Sequence, residues 1–382
     1  MSNNVMTIRK EIVAGIKAVT SAAELRQYLQ AAVKLEHSTI PPYLAAYYSI
    51  KPGWNVEAGK IIRSVVVEEM LHMTIAANVL NAIGGKPEMN HPEFIPTYPG
   101  PLPMSVDDGI RVGLAPLSIA LVKDVFMRIE LPETPKYYPG LLKSLVERDY
   151  ATIGEFYDAI IAKIEFLGES SFTGNPEDQV VDNVWFPPDQ LFPITNVASA
   201  VRGLSIIKRQ GEGSPCGPMD GDGEPAHYYR FEEIFRGHRL VKDDSVPEGY
   251  SFTGAPVPFH QDGVIDMVTD GDVEQYPPGS LALSGVQQAN YSYTSMLNAL
   301  HHTFNGHPDG LKTALGLMYE LRLTVLTKVV NQEVTSGDYK GKYAAPSFQF
   351  SPNASQVVPV PTGGKATAHP AEGATTPVPA LG

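Results

Sequence analysis

The segment VVVEEMLHMTIAANVL at 65–80 is apolar enough for a buried helix, yet it holds two carboxylates and an imidazole. Glu69 and His72 are three residues apart, so a helix projects them from one face. The stripe carrying them reads Ile62, Val65, Glu69, His72, Ala76, Val79 and Ile83. A charge in such a stripe is costly to desolvate unless something pairs with it. Glu-x-x-His on an inward face is half of the ligand set of di-metal carboxylate bundles. In isolation the same spacing also describes a satisfied core histidine beside a rim carboxylate. Glu68 lies four residues before His72, but the stripe selects Glu69 and leaves Glu68 to a supporting contact or a neighbouring helix.

Further carboxylates and one more imidazole recur where hydrophobes are expected. In the helix predicted over 22–50, the inward stripe is Leu25, Leu29, Ala32, Glu36, Tyr43 and Tyr47. The helix predicted from Glu57 to Ile83 follows the connection KPGWNVE, and Gly84-Gly85 stops it. Glu36 stands about 15 residues before that connection and Glu69 about 15 after it. At a rise of about 1.5 Å per residue, the two therefore fall at one level of an antiparallel hairpin. Pro41 and Pro42 are expected to kink or break the first helix one turn past Glu36, because each removes an N–H. In the helix predicted over 143–168, Glu155 shares a narrow face with Ala151, Ala159 and Ala162, which leaves room for a ligand. Glu212 lies between Gly211 and Gly213 after a helix over 195–210, and His227 lies in the first turn of a helix over 224–236. Glu224 competes with Glu212 for the ligand role, since Glu224 and His227 also have Glu-x-x-His spacing. Glu130 ends a shorter helix over 116–131 and reads as a supporting residue rather than a ligand.

The expected metal set is therefore Glu36, Glu69, His72, Glu155, Glu212 and His227. Four carboxylates and two imidazoles suit two hard divalent ions. Carboxylates can bridge them, which gives Glu69 and Glu212 bridging roles, while neutral imidazoles bind each ion terminally. Two iron ions are the expected cofactor, and manganese or another first-row metal fits the same donors. Without cations, such a buried acidic cluster could not stay ionised.

Composition narrows the class. A chain of 382 residues with 43% hydrophobic and 19% charged residues is long and apolar enough to bury a real core. A net charge of −13 argues against a nucleic-acid footprint and against an anionic membrane surface. Cys216 is the only cysteine, so neither a disulfide framework nor a cysteine zinc site is expected, and the usage fits the cytoplasm. The start MSNNVMTIRKEIV lacks the pattern of a secretion signal, and no run of about 18 apolar residues predicts a membrane span.

The remaining stretches read as follows. Residues 86–115 are a proline-rich extended loop, and 169–194 are an irregular insertion. Residues 237–286 form an irregular loop or small β excursion, and 287–336 a helical hairpin packed on the bundle at 22–236. Residues 337–382 close the chain as a low-complexity tail. His301 and His302, at a helix end, are pocket candidates or ordinary surface residues.

The segments LEHSTIPPYLAAYYSI, VVVEEMLHMTIAANVLNAIGG, TYPGPLP, TIGEFYDAI, RQGEG and AHYYRFEEI resemble the ferritin-like family that includes the iminophenyl-pyruvate dimer synthases of bisindole pigment pathways. The resemblance runs from about Leu25 to Arg236 and implies a mainly α, ferritin-like four-helix bundle with long loop insertions and a C-terminal helix pair. It places ligand roles on the same six residues. It does not carry the substrate, because those synthases are much larger chains. The expected activity is O2-dependent oxidation of a small amine, imine or aromatic compound, of the kind found in secondary metabolism. The expected partners are a small-molecule substrate, an unidentified electron donor and further copies of the chain. Ferroxidase or iron-handling activity, and metal binding without catalysis, are the rival readings.

Overall fold

A computed structural model describes residues 8–103, 111–132, 150–151, 153–213 and 217–354. A short helix α1 (Lys10–Ala18) precedes the long pair α2 (Ala22–Tyr48) and α3 (Val56–Ala82), which pack along their lengths. Helix α4 spans 119–129 and contains a π turn at Val122–Phe126. Helices α5 (Ile153–Leu167) and α6 (Val197–Glu212) pack on each other, α5 against α2 and α6 against α3, completing a four-helix bundle. Helix α7 (His227–Arg236) lies against α3, α4 and α6. The C-terminal pair is α8 (Leu281–Thr303) and α9 (Leu311–Thr324), the latter extended by a π turn at Val325–Val329. The strands are minor: β1 (Ile8–Arg9) pairs antiparallel with β2 (Tyr150–Ala151), and β3 (Val241–Lys242) with β4 (Tyr250–Ser251).

Local chemistry explains the helix ends. Gly84 takes φ +75°, which favours glycine. Its N–H donates to the Asn81 carbonyl at 2.8 Å, and that of Gly85 to the Leu80 carbonyl at 2.9 Å. This double bond pattern is a Schellman stop for α3. Asn196 caps α6, accepting from the Ser199 N–H while the Ser199 hydroxyl accepts from the Asn196 N–H.

The prolines do not break the helix. Helix α2 continues through Pro41 and Pro42. The carbonyl that loses its partner to Pro42 is that of Ser38, and it accepts instead from the Tyr98 hydroxyl at 2.6 Å. A tertiary contact thus satisfies a group that the local sequence leaves bare. The helix expected over 143–168 also starts later: residues 150–151 are strand, and 143–149 lie outside the described residues. Of the tail expected over 337–382, residues 337–354 are described and place Ala344, Ala345 and Phe348 in the apolar core, whereas the part from 355, like Cys216, lies outside the described residues.

The predicted stripes are buried. Leu25, Leu29 and Ala32 on α2 meet Leu71, Ala76 and Val79 on α3 in one apolar cluster, joined by Ile160 and Leu204. A second cluster gathers Tyr43, Ile62, Val65, Phe126 and Phe231. Glu36, Glu69 and His72 sit on the same stripes between the residues of these two clusters. Among the described residues, no helix is long and apolar enough to cross a membrane.

Candidate metal centre

Helix α3 carries Glu69 and His72 one turn apart, both at most 2% exposed. Glu36 approaches from α2, with Oε2 3.6 Å from His72 Nδ1. His227 opens α7, is fully buried, and stacks on His72 with ring centroids 5.3 Å apart. Its Nδ1 lies 2.9 Å from Glu69 Oε1 and 3.5 Å from Glu130 Oε2. Glu130 comes from the C-terminal end of α4, just past the π turn, a helix irregularity often found at functional sites. One ligand atom each from Glu69, His72 and His227 lies within 4.8 Å of the others, close enough to hold a single ion.

The outer contacts fix which nitrogen faces inward. His72 Nε2 pairs with Gln210 Oε1 at 2.9 Å, on α6. His227 Nε2 pairs with Glu68 Oε2 at 3.0 Å, and Glu68 Oε1 accepts from Arg230 at 2.7 Å. Each partner is an acceptor, so each Nε2 keeps its hydrogen, and each Nδ1, protonated toward the carboxylates without a cation, is the nitrogen a metal ion would take. His227 Nδ1 lies off hydrogen-bond geometry to Glu69 and has no hydrogen-bond partner. A fully buried imidazole nitrogen left this way beside two carboxylates fits a metal ligand better than a packed core histidine. The carboxylates are held in turn. Thr39 Oγ1 donates to Glu69 Oε2 at 3.0 Å, the Tyr43 hydroxyl donates to Glu130 at 2.5 Å, and the Tyr157 hydroxyl donates to Glu36.

Electrostatics reflect this crowding. Burial, then the charge of Glu130, pushes the Glu69 carboxyl up to about 7. Burial would raise Glu36 as well, but His72 and the Tyr157 hydrogen bond outweigh it, leaving Glu36 below the usual range. Burial opposes charge on His72 and His227, yet their carboxylate partners raise both, His227 strongly. Burial also opposes charge on Glu68, but His227 and Arg230 hold it down to about 2. Burial and the adjacent carboxylates keep Tyr43 and Tyr157 well above the normal phenol range, so both stay protonated donors at neutral pH. Without a cation, protons on the imidazoles and on Glu69 must balance the cluster; a divalent ion would displace them.

A cavity of about 40 Å³ adjoins Glu36, Glu69, His72 and Glu130. One water needs roughly 10–15 Å³, so this space suits a few water-sized occupants rather than an organic molecule. Its half-buried wall residues are Leu131, Ile153, Lys208 and Gly211, which mark the open side.

A model of the ferritin-like family matches residues 29–236. The chain belongs to the ferritin-like family. A solved ferritin-like protein from Caulobacter vibrioides is 27% identical to this ferritin-like chain, with a TM-score of 0.56, covering 85% of this chain and 99% of that one. Comparison with curated proteins gives no match.

The ferritin-like bundle brings together Glu36, Glu69, His72 and His227 of the six residues read from the sequence. Glu155 does not join them. It is exposed on α5, as is Ala162 on the same face. Phe156, Tyr157, Ile160 and Ile164 set the rotation of α5, so Gly154 and Tyr157 form the cavity wall instead. Glu212 is the last residue of α6, and its side chain lies outside the described part of the structure. Glu224 is exposed and precedes α7, so its spacing to His227 is not a helical one. Glu130 stands in the cluster itself rather than behind it. Gln210 and Thr39 were not singled out; Gln210 continues the apolar stripe of α6 three residues past Ile207, and a polar residue at that register is the signal that marks it. Tyr47 lies apart from the centre, with its ring against Tyr48. His301 accepts from the Met89 N–H and His302 stacks on His307, both away from this cavity.

Proposed function

We propose that this ferritin-like protein binds two iron ions and uses O2 to oxidise a small organic substrate. The observation that carries the reading is the paired arrangement of inward nitrogens. His72 Nδ1 faces Glu36, His227 Nδ1 faces Glu130, and Glu69 lies beside both imidazoles in the same cluster. This supports one terminal imidazole and one terminal carboxylate for each ion, with Glu69 shared. Manganese or another first-row ion would accept the same donors. When bound, ferrous ions would supply the electrons that reduce O2.

The chain's own residues do the rest. Gln210 and Glu68 hold the imidazole tautomers, while Thr39, Tyr43 and Tyr157 orient the carboxylates. The apolar clusters on either side keep bulk water away from the reacting side chains. The resemblance to iminophenyl-pyruvate dimer synthases favours an amine, imine or aromatic substrate, which would meet the centre from outside, at the open side marked by Leu131, Ile153 and Lys208, with the cavity left to O2 and water. A second reading, iron oxidation with no organic substrate, is favoured by the small volume beside the donors.

Anaerobic iron loading followed by O2-uptake measurement tests the proposal. The expected result is about two irons per chain and O2 consumption that fails in Glu69→Ala and His72→Ala. Full iron occupancy in both variants would remove the assignment. Turnover with ferrous iron alone, unchanged by any amine or aromatic compound, would favour the second reading.

A further inference from the structure

On another face of the α2–α3 pair lies a second cavity, of about 90 Å³. Its walls come from α2 and α3, from the 169–194 insertion through Trp185 and Phe186, and from α8 and α9. It shares no wall residue with the cavity at the metal centre. Its walls include no Asp, Glu, Lys or Arg, so any occupant is neutral or loses its hydration without compensation.

One polar group in this apolar wall is left over. His37 is 2% exposed, and its Nε2 pairs with the Tyr293 hydroxyl at 2.9 Å. Its Nδ1 is buried and has no hydrogen-bond partner. Leaving such a group bare is costly. A trapped water is a poor remedy, because it needs two to four polar partners. The Tyr293 and Thr74 hydroxyls are already used, on His37 and on the Met70 carbonyl, which leaves the indole N–H of Trp185 at the exposed edge.

We propose that this cavity is a binding site for a neutral, single-ring aromatic molecule with one hydroxyl, whose polar group pairs with His37 Nδ1. The aromatic walls Phe186, Tyr293 and Phe348 suit ring packing. A benzene ring occupies cavities of about 150 Å³, so the walls must yield slightly. Four of them are methionines, Met70, Met73, Met296 and Met318, which are unbranched and readily change rotamer. Half-exposed Trp185 stands at the edge and marks the entry.

The test is titration of the full-length protein with phenol and, separately, toluene, following the methionine methyl groups by NMR. The expected result is saturable phenol binding at least tenfold tighter than toluene binding. Shifts are expected at Met70, Met73, Met296 and Met318, and none at Met127 beside the metal centre. His37→Phe, which keeps a ring but removes the nitrogen, brings phenol down to the affinity of toluene. Leu315→Trp, which fills the cavity from α9, abolishes both and serves if the His37 variant does not fold. Equal affinity for phenol and toluene, shifts centred on Met127, or phenol binding that survives Leu315→Trp would each overturn the proposal.

Discussion

Replacing Glu130 by Gln separates the residue the fold puts in the cluster from the one the sequence suggested. Glutamine keeps the volume, and its carbonyl can still accept from Tyr43, so the change removes charge and little else. Glu130 Oε2 lies 3.5 Å from His227 Nδ1, within reach of any ion held by that nitrogen. Two unit charges about 4 Å apart at an effective dielectric of about 20 interact by about 4 kcal/mol, and a divalent ion with one carboxylate by about twice that. The amide carbonyl retains part of this as a neutral donor. A loss of about 2–4 kcal/mol, or roughly 30- to 700-fold in affinity, follows at about 1.4 kcal/mol per decade. The metal-free variant should melt close to the parent, because the lost repulsion on Glu69 is offset by the lost attraction to protonated His227. Anaerobic calorimetric titration with ferrous iron at pH 7 measures the first effect, and thermal melting of the metal-free protein the second. Exposed Glu155→Gln serves as the control and should bind iron as the parent does. Parental affinity in Glu130→Gln together with a large loss in Glu155→Gln would refute the reasoning.

Other outcomes follow from the same contacts. Gln210→Leu removes the acceptor that fixes His72 and should weaken iron binding by about 10- to 100-fold with the fold retained, read by titration and circular dichroism. Iron affinity should rise between pH 6 and 8, since binding must displace protons from Glu69, pushed up to about 7, and from His227, which its carboxylate neighbours hold well above the usual imidazole range. Melting of the metal-free protein should run the other way over that window. Raised imidazole values stabilise the fold below the unfolded value near 6.5, and this is lost as pH rises through the folded values. The raised Glu69 carboxyl costs stability progressively from about 4.5 up to about 7. Leu29→Ala, at a fully buried site of the α2–α3 seam, should cost about 2–5 kcal/mol in chemical denaturation.

The hairpin half of the centre was legible because its information is local. Helical period puts Glu36, Glu69 and His72 on buried stripes, and matched distances from one turn bring them level. The other half depends on how separate helices rotate against each other. Glu155 misses the centre because Phe156 and Ile160 turn it outward, although its neighbours are small. Glu130 enters because a π turn and the packing of α4 on α7 place a helix end beside His227, and no spacing rule encodes that. Continuity of α2 through two prolines likewise rests on Tyr98, sixty residues away in the chain. The Glu68–His227 contact shows the reverse case, where a residue set aside for support does support, across two helices.

Anomalous diffraction at the iron edge, from crystals loaded anaerobically with ferrous iron, tests the central claim most directly. Two peaks are expected, one beside His72 Nδ1 and Glu36 and one beside His227 Nδ1 and Glu130, with Glu69 between them. Iron bound elsewhere, at exposed Glu155 or Glu224, with no peak beside either imidazole, would contradict it.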